Sequence, residues 1–306
     1  MSQNRIPMDI IQDAKSGKRL MNVVFVLLIA AFIFASYFTL MGLMLPLLFY
    51  KWTIGIIPEQ DFDFYNFALQ LFSFAYISLL VFAVVRLIEG RKISTLGFHR
   101  PHWLSNTLKG GLMGFGMMGA IVLILALFKC ISWQTPLSQP VGFQAAGPLA
   151  LLLLGFIVQA SAEEILSRGW ILNVLSAKYN RAAGIILSSI FFVACHSLNA
   201  GMSLMAYLNA ALFAVFLALY VQRTNQLWGA CAFHALWNFS LGNVFGFDVS
   251  GVPMAYGTIV DLNVQGSDLL TGGQFGLEAG LPATFVLLVG IALVVFLRRR
   301  AQPAST

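Results

Sequence analysis

The chain is divided into long apolar stretches, and nearly every one is about as long as a bilayer is thick. Eight can be marked, over residues 20–50, 67–89, 105–131, 147–167, 182–198, 202–222, 227–246 and 281–297. A helix needs ~20 apolar residues to cross the hydrocarbon core. With eight such stretches, little of the 306 residues is left to build a water-soluble domain. Composition agrees, since only 10% of the residues are charged, against about 25% in an ordinary soluble domain. The expected fold is therefore all-α, a polytopic membrane protein of about eight transmembrane helices. The first stretch is too long for one upright span and is expected to tilt, or to bend near Gly42 and Pro46. It is also too long for the apolar region of a cleaved signal peptide, and no small-residue cleavage site stands out.

The basic residues test this reading independently. With the N-terminus in the cytoplasm and sides alternating at each span, sixteen of the 18 Lys and Arg fall on the cytoplasmic side. They include Arg5, Lys15, Lys18 and Arg19; Arg86, Arg91, Lys92, Arg100 and Lys109; Arg168, Lys178 and Arg181; Arg223; and Arg298–Arg300. Only Lys51 and Lys129 fall outside. That asymmetry is what the positive-inside rule predicts for both termini in the cytoplasm of a cell membrane. The net charge of +6 thus reports topology and contact with the lipid bilayer, and no nucleic-acid partner is expected.

Four regions are expected. Residues 1–144 hold three spans and read as an N-terminal scaffold. Residues 145–246 hold four spans and all of the intramembrane polar chemistry. Residues 247–280 are an acidic, glycine-rich loop over the outer face, and 281–306 supply the last span and a basic cytoplasmic tail. Cys130, Cys195 and Cys231 lie in or at the end of spans, read as small buried hydrophobes, and offer no disulfide framework. His99 and His102, in the polar connection 86–109, are expected to be exposed loop histidines without a site.

An ionisable group inside a span costs at least roughly 2.5–3.5 kcal/mol on insertion, so the residues that break the apolar pattern are informative. They are Glu163, Glu164 and Arg168 on the fourth stretch, His196 on the fifth, and His234 and Asn238 on the seventh. Glu164 and Arg168 are i and i+4, acid first, and share a helix face. Glu163 is rotated about 100° from Glu164 and points elsewhere. His234 and Asn238 also share a face, and Phe192 lies one turn before His196. Each group alone has a bland reading, as a solvated ion pair or a histidine bonded to a backbone carbonyl. Together the residue types are complementary. An unpaired buried carboxylate can be a general base, histidines can hold a water or a metal, and an amide can donate to an oxyanion. No GxSxG or HExxH occurs.

The motifs "EEILSR" (Glu163, Glu164, Arg168), "FVACH" (Phe192, His196) and "HALWN" (His234, Asn238) fit EExxxR, FxxxH and HxxxN in that order. The chain resembles the CPBP family, the CAAX-protease and bacteriocin-processing (Abi) intramembrane endopeptidases related to the type II CAAX prenyl endopeptidase. The resemblance covers about residues 145–245. It implies an eight-span membrane protease acting on a membrane-associated peptide or protein. Glu163 would be the glutamate that activates water and His196 would help bind that water. His234 and Asn238 would complete the site and stabilise the oxyanion, with Glu164 and Arg168 in support. Substrate identity is not implied: peptide processing, self-immunity and CAAX-type processing all occur in the family. No cofactor is expected. If a divalent metal such as zinc were present, Glu163, His196 and His234 would be its ligands.

Two other functions compete on the residues alone: a transporter or proton relay through the buried Glu and His groups, and a noncatalytic membrane scaffold. A tension in depth also remains. At ~1.5 Å per residue, Glu163 lies about 6 Å and His234 about 10 Å above the cytoplasmic boundary, but His196 about 21 Å. The expected resolution is a short interfacial amphipathic helix within 170–185, a fifth span starting near Ile185 or later, and a pocket opening toward the cytoplasmic half.

Overall fold

The computed structural model describes residues 9–56, 58 and 62–300, the side chains of 297–300 excepted. Arg5 and residues 301–306 of the tail lie outside the described residues. Helices stand on all eight apolar stretches. In chain order they are α1 (Ile10–Lys15), a short helix ahead of the first stretch, then α2 (Val23–Thr53), α3 (Phe62–Ile88), α4 (Trp103–Leu127), α5 (Gly142–Lys178), α6 (Arg181–His196), α7 (Leu204–Thr224), α8 (Trp228–Phe239) and α9 (Leu281–Arg300). Five of them, α2, α3, α4, α5 and α7, are long and apolar enough to cross a membrane, and α6, α8 and the apolar part of α9 are shorter. The chain is a multi-pass helical membrane protein. α2 begins "VVFVLLIAAFIF", a run whose β-branched and aromatic residues would favour a strand in water. In hydrocarbon each backbone N–H must be satisfied within its own segment, and helix results. α2 is one continuous helix through Gly42 and Pro46, so its excess length is not taken up by a break.

Two close helix contacts set the frame for the site. α4 meets α8 through Gly110 and Gly114: a Cβ on the first would strike the Gly229 carbonyl, and on the second the Phe233 carbonyl. Small residues four apart let the backbones touch, which is how helices gain dispersion energy when lipid offers no hydrophobic drive. This contact fixes the height of α8, which carries His234 and Asn238. The second contact is the hairpin of α5 and α6, where a Cβ on Gly184 would strike Ser176 Oγ. Asn180 caps α6 by accepting the Ala183 N–H at 2.9 Å.

The hairpin overturns the expectation for residues 170–185. No interfacial amphipathic helix forms there. α5 runs on past Glu164 through a π-helical turn (Ile165–Ile171) and a last α-helical segment (Leu172–Lys178), and every residue from Ile165 to Ala177 is buried. α6 starts at Arg181, not near Ile185. Glu163 and His196 then each lie fifteen residues from the helix ends at Lys178 and Arg181 that flank the turn, about 22 Å at 1.5 Å per residue. The apparent mismatch in depth came from ending the fourth span at residue 167.

At the basic end, α1 is pinned by Arg181–Asp9 (3.3 Å) and His99–Asp13 (3.1 Å), and Lys18 N–H donates to the Glu89 carbonyl at 2.8 Å. Burial raises the Asp13 carboxyl above its ordinary pKa, opposed by the nearby His99 and Arg91. His99 is thus partnered and largely buried rather than an exposed loop histidine, whereas His102 is exposed. Beneath it, Glu89 accepts from Arg91 Nε (2.5 Å) and from Trp170 Nε1 (2.9 Å), and Arg91 also donates to Thr95 Oγ1 (2.8 Å). At the opposite end, the acidic loop is tied down by a short antiparallel pair, β1 (Ile131–Trp133) with β2 (Leu262–Val264), and by Asp261, which accepts from Ser138 N–H at 2.7 Å.

Candidate active site

Adjacent glutamates at the end of the regular part of α5 enter different surroundings, as the 100° rotation between them predicts. Glu164 is wholly buried. Its Oε1 accepts from Arg168 Nη1 at 2.7 Å and lies 3.0 Å from His234 Nδ1. Arg168 is also wholly buried, and its guanidinium lies over the Phe192 ring, 4.3 Å from the centroid. It therefore belongs to the interior and not to the cytoplasmic charges with which its sequence position grouped it. The π-helical turn places it there, and such turns recur at functional sites.

Glu163 faces the other way, into a cavity of about 270 Å³. Its Oε1 accepts from Gln159 Nε2 at 2.5 Å. Its Oε2 is buried and has no hydrogen-bond partner. That oxygen stands 3.9 Å from His196 Nε2 and 3.9 Å from His234 Nε2. The tautomers follow from the other ring nitrogens. His196 Nδ1 lies 2.9 Å from the Phe192 carbonyl, which can only accept, so Nδ1 carries the proton. His234 Nδ1 faces the Glu164 carboxylate, and the same argument puts its proton there. In its neutral form each imidazole then presents a bare Nε2 lone pair toward Glu163 Oε2, and three acceptors converge on one small space.

Separations of 3.9 Å are too long for direct hydrogen bonds and suit a bridging water, which brings two donors of its own. Among the described residues, no group of three or more His, Cys, Asp or Glu is arranged to hold a metal ion. The set Glu163, His196 and His234, expected as ligands if a metal were bound, does not form such a group. Cys130 and Cys231 are buried and free, while Cys195 lines the cavity.

Asn238 also lines the cavity, and its Nδ2 donates to Gln159 Oε1 at 3.2 Å. One of its two amide hydrogens is used there, leaving the second. Of the residues singled out from sequence, Glu163, Phe192, His196, His234 and Asn238 line the cavity, and Glu164 and Arg168 lie wholly buried behind His234 and Phe192. The sequence analysis missed Gln159, which links Asn238 to Glu163. A signal was present, since Gln159 is a buried amide exactly one turn before Glu163 on the same face. It also missed Phe213 of α7, whose ring meets His234 edge-on at 5.0 Å while Phe192 lies 4.3 Å from His196. The far walls come from α2 and α3, through residues such as Tyr37, Phe67 and Phe74, and from Val249 and Ser250 of the acidic loop. Ser250 is held by Glu278, which accepts both its N–H (2.7 Å) and its hydroxyl (2.8 Å) and also the Trp237 indole N–H (2.7 Å).

Residues 145–240 match the family model described as type II CAAX prenyl endopeptidase Rce1-like. The matched segment holds all three motifs and agrees with the CPBP resemblance they carry. No curated protein and no solved structure matches the chain.

Proposed function

We propose that this membrane protein is an intramembrane endopeptidase in which Glu163 activates a water to hydrolyse a peptide bond of a membrane-associated protein or peptide. The family match implies a peptidase. The observation that carries the finer reading is the buried, unpartnered Glu163 Oε2, equidistant from two bare imidazole nitrogens. A water in that space donates one hydrogen to Glu163 Oε2 and the other to a histidine Nε2. As its oxygen attacks the carbonyl carbon, Glu163 takes the proton. The developing oxyanion accepts from the second amide hydrogen of Asn238. Collapse breaks the C–N bond, and Glu163 returns the proton to the leaving amine. Both products then hold the elements of one water, and no other reactant is needed.

The surroundings support these roles. Glu164 holds His234 in the tautomer that leaves Nε2 free, and Arg168 neutralises Glu164, so that one ion pair orients the ring without charging it. Gln159 engages Oε1 and so turns Oε2 toward the histidines. The same reading places residues 145–246 as the catalytic core of an eight-span protein with both termini in the cytoplasm, supported by the basic residues.

The test is peptide cleavage by purified protein in nanodiscs, beside Glu163→Gln and a strong chelator. Cleavage that survives the chelator and disappears in the variant is expected. Loss of cleavage on chelation, restored by a divalent metal, would replace the glutamate mechanism with a metal-dependent one. Proton flux into proteoliposomes with no cleavage at all would favour a relay.

A further inference from the structure

We infer that the site is entered from the face of the acidic loop, opposite to the basic loops, and so takes an uncharged, apolar peptide segment that approaches the bilayer from the non-cytoplasmic side. This rests on the endopeptidase reading for what is done with the segment, but the direction of entry rests on geometry alone.

The exposed members of the cavity lining mark its mouth. They are Phe38 of α2 (48% exposed), Gln70 of α3, Leu198 just past α6 (71%) and Val252 of the acidic loop (40%). Gln70 lies eight residues from the N-terminal end of α3, Leu198 lies two past the C-terminal end of α6, and Val252 follows α8. These three sit toward the same end of the bundle, where Asp63, Asp248, Asp261, Asp268 and Glu278 stand in the helix ends and loops, while Phe38 lies midway along α2 and extends the mouth down that side.

The opposite direction is blocked. The cavity ends on Leu166 and Ser167, and below them the chain from Arg168 to Ala177 is buried without interruption. Trp170 and Arg168 have no exposed surface, and the Glu89–Arg91–Trp170 cluster and α1 close that end. Lys15, Lys18, Lys92, Arg100, Lys178 and Arg181 ring this closed end, which the positive-inside rule assigns to the cytoplasm. The cavity is therefore not the cytoplasm-facing pocket that the helix depths first suggested.

The lining also restricts what enters. Apart from Glu163, it holds no Lys, Arg, Asp or Glu. Its walls are mostly aromatic and aliphatic, with Gln70, Asn199 and Ser250 near the mouth as polar groups able to meet a peptide backbone. A charged residue next to the scissile bond would lose its hydration with no partner to replace it. An apolar stretch loses nothing comparable.

Two measurements test the direction. Val252→Cys and Lys92→Cys proteins are treated in intact cells with a membrane-impermeant charged maleimide, with the unmodified chain as the background for Cys130, Cys195 and Cys231. Val252→Cys is expected to label in intact cells, and Lys92→Cys only after permeabilisation. Labelling of Val252→Cys only after permeabilisation would overturn the inference, whatever the enzyme does. The second measurement offers sealed right-side-out and inside-out vesicles an internally quenched apolar peptide with charged ends that cannot cross the bilayer. Cleavage in right-side-out vesicles, absent in Glu163→Gln, is expected. Cleavage confined to inside-out vesicles would overturn the direction while leaving the endopeptidase reading intact. If the protein cleaves nothing even in detergent, that reading falls, and the labelling alone decides the direction.

Discussion

Two carboxylates in this bundle, buried Glu89 at the closed basic end and partly buried Glu163 at the cavity, show opposite ways of placing a charge in an apolar interior. Each oxygen of Glu89 has a donor, one from Trp170 and one from Arg91, and Arg91 reaches a second acceptor on Thr95. The cluster ties the connection after α3, residues 89–95, to α5 at Trp170. Glu163 has one oxygen bound by Gln159 and the other facing two more acceptors across 3.9 Å gaps. A group of acceptors without a donor is poor structural design, because each buried polar atom left unpaired costs about 1–3 kcal/mol. It becomes sensible when the missing donor is a water that is consumed. Glu89, with both oxygens paired, reads as construction, and Glu163, whose unpaired oxygen faces a cavity and two imidazoles, reads as chemistry.

The largest expected effect separates the two carboxylates outright. Glu163→Gln keeps the shape of the side chain and removes the base, so kcat should fall by about 10²–10⁴-fold, the usual contribution of a general base. Its thermal unfolding in detergent should match that of the unmodified protein. A folded, fully active variant would break the contrast.

Glu164→Gln should behave as a structural change, although Glu164 is the very next residue. It strips the buried Arg168 of its carboxylate and should cost about 3–5 kcal/mol of stability, read as a lower unfolding midpoint and a lower folded yield. A stable but inactive Glu164→Gln protein would mean that the two glutamates have been assigned the wrong way round.

Asn238→Ala tests the far side of the cavity. If its amide meets the oxyanion, kcat should fall by about 10²–10³-fold with little change in KM. Asp at this position should be worse, because it sets a negative charge beside the developing one. A loss confined to KM would reassign Asn238 to substrate binding.

Glu89→Gln should have the smallest effect on catalysis. It also leaves a buried arginine, Arg91, without its carboxylate and should cost about 3–5 kcal/mol of stability, with kcat unchanged in whatever protein folds. A change in the pH profile of cleavage would show that the closed end communicates with the site and would blur the comparison.

Much of this was legible in the chain. The eight apolar stretches became helices because hydrocarbon leaves the backbone no alternative, and that argument needs only local composition. The pairing of Glu164 with Arg168, and the turning away of Glu163, follow from helix periodicity over five residues. The gathering of three motifs at one cavity was expected from their residue types and from the family they resemble.

What local pattern could not supply was height and partnership between segments. "ILSRGWILNVLSAK" carries Ser, Arg, Asn and Lys and reads as the exit from a span, yet the α5–α6 hairpin buries it to Ala177 and brings His196 level with Glu163. Gln159 has the same composition value as any polar residue in a span until Asn238 is placed opposite it by the Gly110–Gly114 contact with α8. Ser250 lies far along the chain from α6, and only the folded loop, in which Glu278 holds it, carries it to the cavity wall. The sequence by itself determined the membrane environment, the helices and the face each polar residue occupies, because those depend on solvent and on neighbours within two turns. Tertiary structure alone decided which faces meet, at what height, and on which side the cavity opens, because those depend on close contacts between residues tens to more than a hundred positions apart.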